Sequence, residues 1–97
     1  MVRAEVLDAL RDKSGDIRER FGVLSLMLFG SFARGEAAAG SDIVVLVDFG
    51  GPPTFDQYMD LKFFLEELLQ TKVDLVTESG LRPRLRPRIE EEAIRVA

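Results

Sequence analysis

The spacing of apolar and polar positions divides the chain into helical and extended stretches. In residues 2–13, VRAEVLDALRDK, the residues Val2, Val6, Leu7 and Leu10 fall at helical spacing. Ser14-Gly15-Asp16 predicts a break or a frayed turn after them, because glycine weakens a helix interior by about 1 kcal/mol relative to alanine. The alternative is a longer helix that reaches Phe21. Residues 23–29, VLSLMLF, are a short apolar run between two glycines, the pattern of a buried strand. After Gly30-Ser31 comes an Ala-rich passage, SFARGEAAAG, expected as a short helix or a loop. Residues 42–49, DIVVLVDF, are β-branched and apolar and predict a second central strand, stopped by Gly50-Gly51-Pro52-Pro53.

The strongest helical pattern is TFDQYMDLKFFLEELLQ, residues 54–70. Thr54 is placed to cap it, and Phe55, Tyr58, Met59, Leu61, Phe64, Leu65 and Leu68 supply a wide apolar face. Residues 72–77, KVDLVT, alternate as a third strand with Asp74 inside it. Pro83 and Pro87 then predict a turn, followed by a short helix from about Arg88. The order α-β-(short α)-β-α-β-α implies one domain over residues 1–97, of α/β or α+β class. Its expected core is a small mixed sheet of three or more strands with helices packed against it.

Composition narrows the chemistry. The chain has neither cysteine nor histidine, so disulfides, thiolate metal sites and the commonest general base are all excluded. Acid-base or metal chemistry must run on carboxylates and main-chain groups, which suits a hard cation such as Mg²⁺. A net charge of −4 argues against general nucleic-acid binding. Arg82, Arg84, Arg86 and Arg88 are an exception, a local cluster expected to be solvated or paired with Glu90–Glu92 or an acidic partner rather than with RNA. No leader or spanning segment is visible, so a cytoplasmic protein with no membrane partner is expected.

Candidate chemistry concentrates in LFGSFARGEAAAGSDIVVLVDF, residues 28–49. A strand that ends in Gly-Ser before a helix aims unpaired N–H groups and the positive end of a helix dipole at one point, where an anion can sit. Gly30 allows a phosphate to approach the main chain and Ser31 adds a hydroxyl, although most Gly-Ser pairs are only turns. Asp42 opens the next strand, where it either faces that point or serves as a turn residue after Gly40-Ser41. On a strand, positions 42 and 44 share a face about 6.6 Å apart, so two carboxylates there could share Mg²⁺. Position 44, however, is valine. Asp74 is the one charge in an apolar strand; it reaches the face of Asp42 if the two strands are neighbours, and otherwise lies on a solvated edge.

The run GSFARGEAAAGSDIVVLVDF resembles the signature of the minimal nucleotidyltransferases of the DNA polymerase β superfamily: Gly-Ser, then Arg-Gly, then Ser-Asp-x-Asp with an apolar strand, and a third Asp on a later strand. The resemblance extends along essentially the whole chain. It implies a nucleotidyltransferase fold, with Gly30, Ser31, Arg34 and Ser41 as the nucleotide-binding positions and Asp42 and Asp74 as catalytic and metal-binding carboxylates. Arg34 is also suited to shaping the loop or pairing with a nearby acid. The resemblance further implies Mg²⁺ as cofactor and ATP as substrate, with one ion carrying the phosphates and a second activating the attacking hydroxyl.

It also implies a partner, a helical HEPN-type toxin to which an antitoxin of this kind transfers AMP, in a hetero-complex or alongside self-association. Val44 departs from the signature, which has Asp there. Asp48 lies about 13 Å farther along the strand and Glu36 has nothing to position it, so neither replaces the missing ligand. Loss of one member of a catalytic set lowers rates by orders of magnitude. Two functions remain open: a weakened AMP transferase, or an inactive module that neutralises its partner by binding. For the second, Phe63 and Phe64 are candidate contacts for a partner helix, unless they fill the core.

Overall fold

A computed structural model describes residues 3–30 and 43–97. Helix α1 (Arg3–Asp12) buries Val6 and Leu10, one turn apart. Ser14-Gly15-Asp16, predicted to break the helix, are themselves helical: after a single-residue interruption at Lys13 a second helix, α2 (Ser14–Phe21), runs through them, closer to the alternative of a helix that reaches Phe21. The junction is a kink rather than a loop, because Ile17 N–H still donates to Lys13 O at 2.9 Å. Burial of Ile17 holds α2 to the core, and Gly22, at φ 67°, ends it in the left-handed region.

Strand β1 (Ser25–Phe29) pairs antiparallel with β2 (Ile43–Asp48). From β2 the chain crosses through helix α3 (Phe55–Leu69) to β3 (Val73–Thr77), which pairs parallel with β2. Thr54 caps α3 as expected, its Oγ1 accepting from Gln57 N at 3.1 Å. Two 3₁₀ turns, Glu78–Gly80 and Pro83–Leu85, lead into α4 (Arg86–Glu92), which begins two residues before the predicted Arg88. Pro87 lies in its first turn, where a missing N–H costs nothing. The chain then adds strand β4 (Ile94–Arg95), antiparallel to β1, so the described sheet has four strands in the order β3-β2-β1-β4.

The two faces of the sheet are covered differently. Leu26, Leu28, Ile43, Val45, Val47, Val73 and Leu75 point to one side and pack under α1–α3. There they meet Val6, Leu10 and Ile17, together with Leu61, Leu65 and Leu69, which recur every fourth residue of α3. On the other face the C-terminal segment covers only part of the sheet, where Leu46 and Ile89 are both buried. Side chains of α3 also bind the outer border of β3: Tyr58 OH donates to Leu75 O at 2.6 Å, and Glu66 Oε2 accepts from Val73 N at 3.0 Å. Among the described residues no helix is long and apolar enough to cross a membrane.

Leu65 is fully buried at the centre of the α3–sheet contact. Leu65→Ala is therefore expected to lower unfolding stability by about 2–5 kcal/mol in urea titrations. Tyr58 carries a pH dependence. Burial first, and then the negative charge of Asp74, push its phenol above the ordinary value of 10.0. The folded state thus favours the neutral phenol, so this contribution is whole below pH 10.0 and is lost as pH rises through the folded-state value. Urea midpoints should fall above that pH, and fall less steeply in Tyr58→Phe.

Candidate functional site

The site begins where β1 ends. Gly30 adopts φ 84°, in the left-handed region that favours glycine, and turns the chain off the end of the sheet. A Cβ at Gly30 would stand 3.4 Å from Val44 Cγ2, so the turn and residue 44 are in direct contact. Register explains why. Phe29 of β1 lies opposite Val44 of β2, and Val44 lies beside Asp74 of β3. Phe29, Val44 and Asp74 form one row across three strands, on the face turned away from the helical core, with neighbouring strands about 4.8 Å apart.

Two of the sequence candidates, Gly30 and Asp74, thus lie on either side of Val44. Asp74 is exposed on an edge strand, so it needs no buried counter-charge and its placement in an apolar strand is satisfied by water. Ser31, Arg34, Ser41 and Asp42 lie outside the described residues, as does Glu36. Asp48 is committed elsewhere: its Oδ1 accepts from Gly50 N at 2.8 Å and fixes the turn after β2.

A hard cation such as Mg²⁺ demands near-octahedral oxygen ligation. The described row supplies one carboxylate, Asp74, and next to it two methyl groups of Val44. Among the described residues no three acidic side chains come together as a metal-binding group. These residues do not fit a site that shares ions between positions 44 and 74. An aspartate at position 44 would stand beside Asp74 on the same face, which is the arrangement a shared ion needs.

The arginine cluster is exposed but does not form one basic row. It runs through a 3₁₀ turn into α4 rather than through an extended segment. Arg86 pairs with Glu78, a partner that sequence spacing did not suggest, and Arg88 Nε lies 3.7 Å from Glu92 Oε1.

Comparison with known proteins identifies the family and the fold. The family model described as a nucleotidyltransferase domain matches residues 7–96. The chain is 38% identical over 92 residues to the protein adenylyltransferase MntA of Thermococcus cleftensis, covering 95% of this chain and 93% of that protein. A solved structure provisionally assigned as a minimal nucleotidyltransferase superposes with a TM-score of 0.82 at 42% identity, covering 97% of this chain and 95% of the other. The fold is also shared with a structure described as the tri-AMPylated HEPN toxin of Shewanella oneidensis in complex with its MNT antitoxin. There the TM-score is 0.68 at 17% identity, with 94% of this chain and 71% of that chain covered.

Gly30→Ala tests the turn. The left-handed conformation costs an L-residue about 1–2 kcal/mol, and the added methyl meets Val44. Chemical denaturation should show a loss of about that size.

Proposed function

The chain belongs to the nucleotidyltransferase family, and we propose that within it the chain is an antitoxin-type component that binds ATP and a helical HEPN-type partner, with AMP transfer to that partner weakened by Val44. The observation that carries this reading is the row Gly30–Val44–Asp74, which keeps the turn and one carboxylate but replaces the middle ligand by a hydrocarbon. Two comparisons support the direction of transfer. The Thermococcus relative is named a protein adenylyltransferase, and the Shewanella complex holds an AMP-modified HEPN toxin.

In this reading the main chain at Gly30, with Ser31, Arg34 and Ser41, holds the nucleotide phosphates. Asp42 and Asp74 are the carboxylates left to face a cation. Magnesium, when bound, would neutralise phosphate charge and raise the reactivity of the phosphoryl group. With valine at 44 the site lacks the donor that would let a second ion sit between the strands. Nucleotide binding survives such a loss better than transfer does, because the phosphate contacts come from a different part of the site. A second reading, a binding module with no transfer at all, is favoured by the same Val44.

The test is incubation of the chain with Mg²⁺ and α-labelled ATP in the presence of its helical partner, run side by side with Val44→Asp. Val44→Asp is expected to transfer label at least about a hundredfold faster than the original chain, the scale on which members of a catalytic set act. It should also gain a Mg²⁺-dependent rise in melting temperature with ATP. Comparable transfer by both chains would overturn the assignment of position 44. No transfer by either, with the partner still bound, would favour the binding module.

A further inference from the structure

On the helical side of the sheet, remote from the row of Val44 and Asp74, an open groove of about 780 Å³ runs between α2 and α3. Its floor is aromatic. The rings of Phe21 and Phe64 lie 5.2 Å apart with a 51° tilt, and the Arg20 guanidinium stands over both, 5.3 and 5.4 Å from their centroids. Phe64 is therefore largely spent on the core contact. Phe63 is not: it lies on the groove wall and is 58% exposed, whereas Leu61 and Leu65 on the same helix are fully buried. Phe63 and, at the start of the same helix, Phe55 (77% exposed) are large aromatics left in water, an unmet apolar surface.

The residues around Phe63 say what would meet it. Asp56, Asp60, Phe63 and Glu67 are spaced i, i+4, i+7 and i+11, so they form one stripe along the outer face of α3. All four are exposed, and none of the three carboxylates forms an ion pair among the described residues. The stripe itself contains no cation, and the one described cation lining the groove, Arg20, is stacked over the Phe21 and Phe64 rings. This disfavours a second copy of the chain as occupant, since a two-fold axis through Phe63 would set Asp60 of one copy against Glu67 of the other. It equally disfavours a nucleic acid. A helix with Arg or Lys one turn to either side of an apolar residue fits the stripe: the apolar residue meets Phe63, and the cations meet Asp60 and Glu67.

We propose that the α2–α3 groove is the docking site for a helix of the partner protein, one whose contacting face carries basic residues flanking an apolar side chain. This deepens the reading above, on which it rests for the existence of a helical partner, and assigns the surface and the chemistry of contact.

The test uses two synthetic, helix-stabilised peptides, one with a leucine flanked by arginines a turn away on each side, the other its glutamate twin. Neither ATP nor transfer enters the assay, so failure of the transferase reading leaves it interpretable. Fluorescence anisotropy should show the basic peptide binding the full chain and the acidic one binding at least about tenfold more weakly. Amide chemical-shift changes should centre on residues 56–67. Phe63→Asp, at an exposed position where circular dichroism can verify folding, should weaken the basic peptide about tenfold or more. Asp60→Lys combined with Glu67→Lys should reverse the preference between the two peptides. Equal binding of both peptides, indifference to Phe63→Asp, or a self-associated chain that Phe63→Asp dissociates would each overturn the proposal.

Discussion

The site depends on the register between β2 and β3. Because α3 returns the chain to the same end of the sheet, the two strands run parallel, and residue 44 comes to stand directly beside residue 74. That alignment is fixed by the core, not by the site. Ile43, Val45, Val47, Val73 and Leu75 must all face the helices, and a slip of one residue would turn every one of them to the other face. The row that includes Val44 and Asp74 is therefore held in place by hydrophobic burial on the opposite side. A change of side chain at position 44 alters chemistry without asking the scaffold to move.

Much of this was legible in the sequence where long patterns supported it. The apolar face of residues 54–70, the β-branched run after Asp42 and the alternation around Asp74 each fixed an element, and the resemblance of residues 30–49 to a family signature fixed the fold. What escaped was short or decided by tertiary contact. β4 is two residues long, too brief to alternate, and exists because Val96 N–H finds Leu26 O at 2.9 Å. Helix α2 passes through Gly15 because Ile17 has a place in the core that outweighs the glycine penalty. The fates of Phe63 and Phe64 could not be separated by periodicity, since adjacent helical positions differ by only about 100°. The partner of Arg86 was likewise out of reach of local spacing, because Glu78 approaches it across two turns of irregular chain.

The two sides of the sheet are built differently. One side is closed by three helices and carries the acidic stripe with the exposed Phe63 in it. The other is partly covered by the C-terminal segment, which buries Leu46 under Ile89 and stops short of the strand ends where Gly30 and Asp74 lie. Gln57 ties α2 to α3, its side-chain amide donating to Phe21 O at 2.9 Å while its main-chain N–H donates to the capping Thr54.

The hydrogen bonds from Tyr58 and Glu66 to β3 have a consequence beyond the energy they contribute. β3 is an edge strand, and the main-chain groups on its outer border would ordinarily offer a template to any extended chain that passes. Here two of those groups, Val73 N–H and Leu75 C=O, are already occupied by side chains of α3. An incoming strand would have to displace both before it could register. Strand addition at that border must therefore first break these two side-chain bonds, an added cost that works against lengthening of the sheet there.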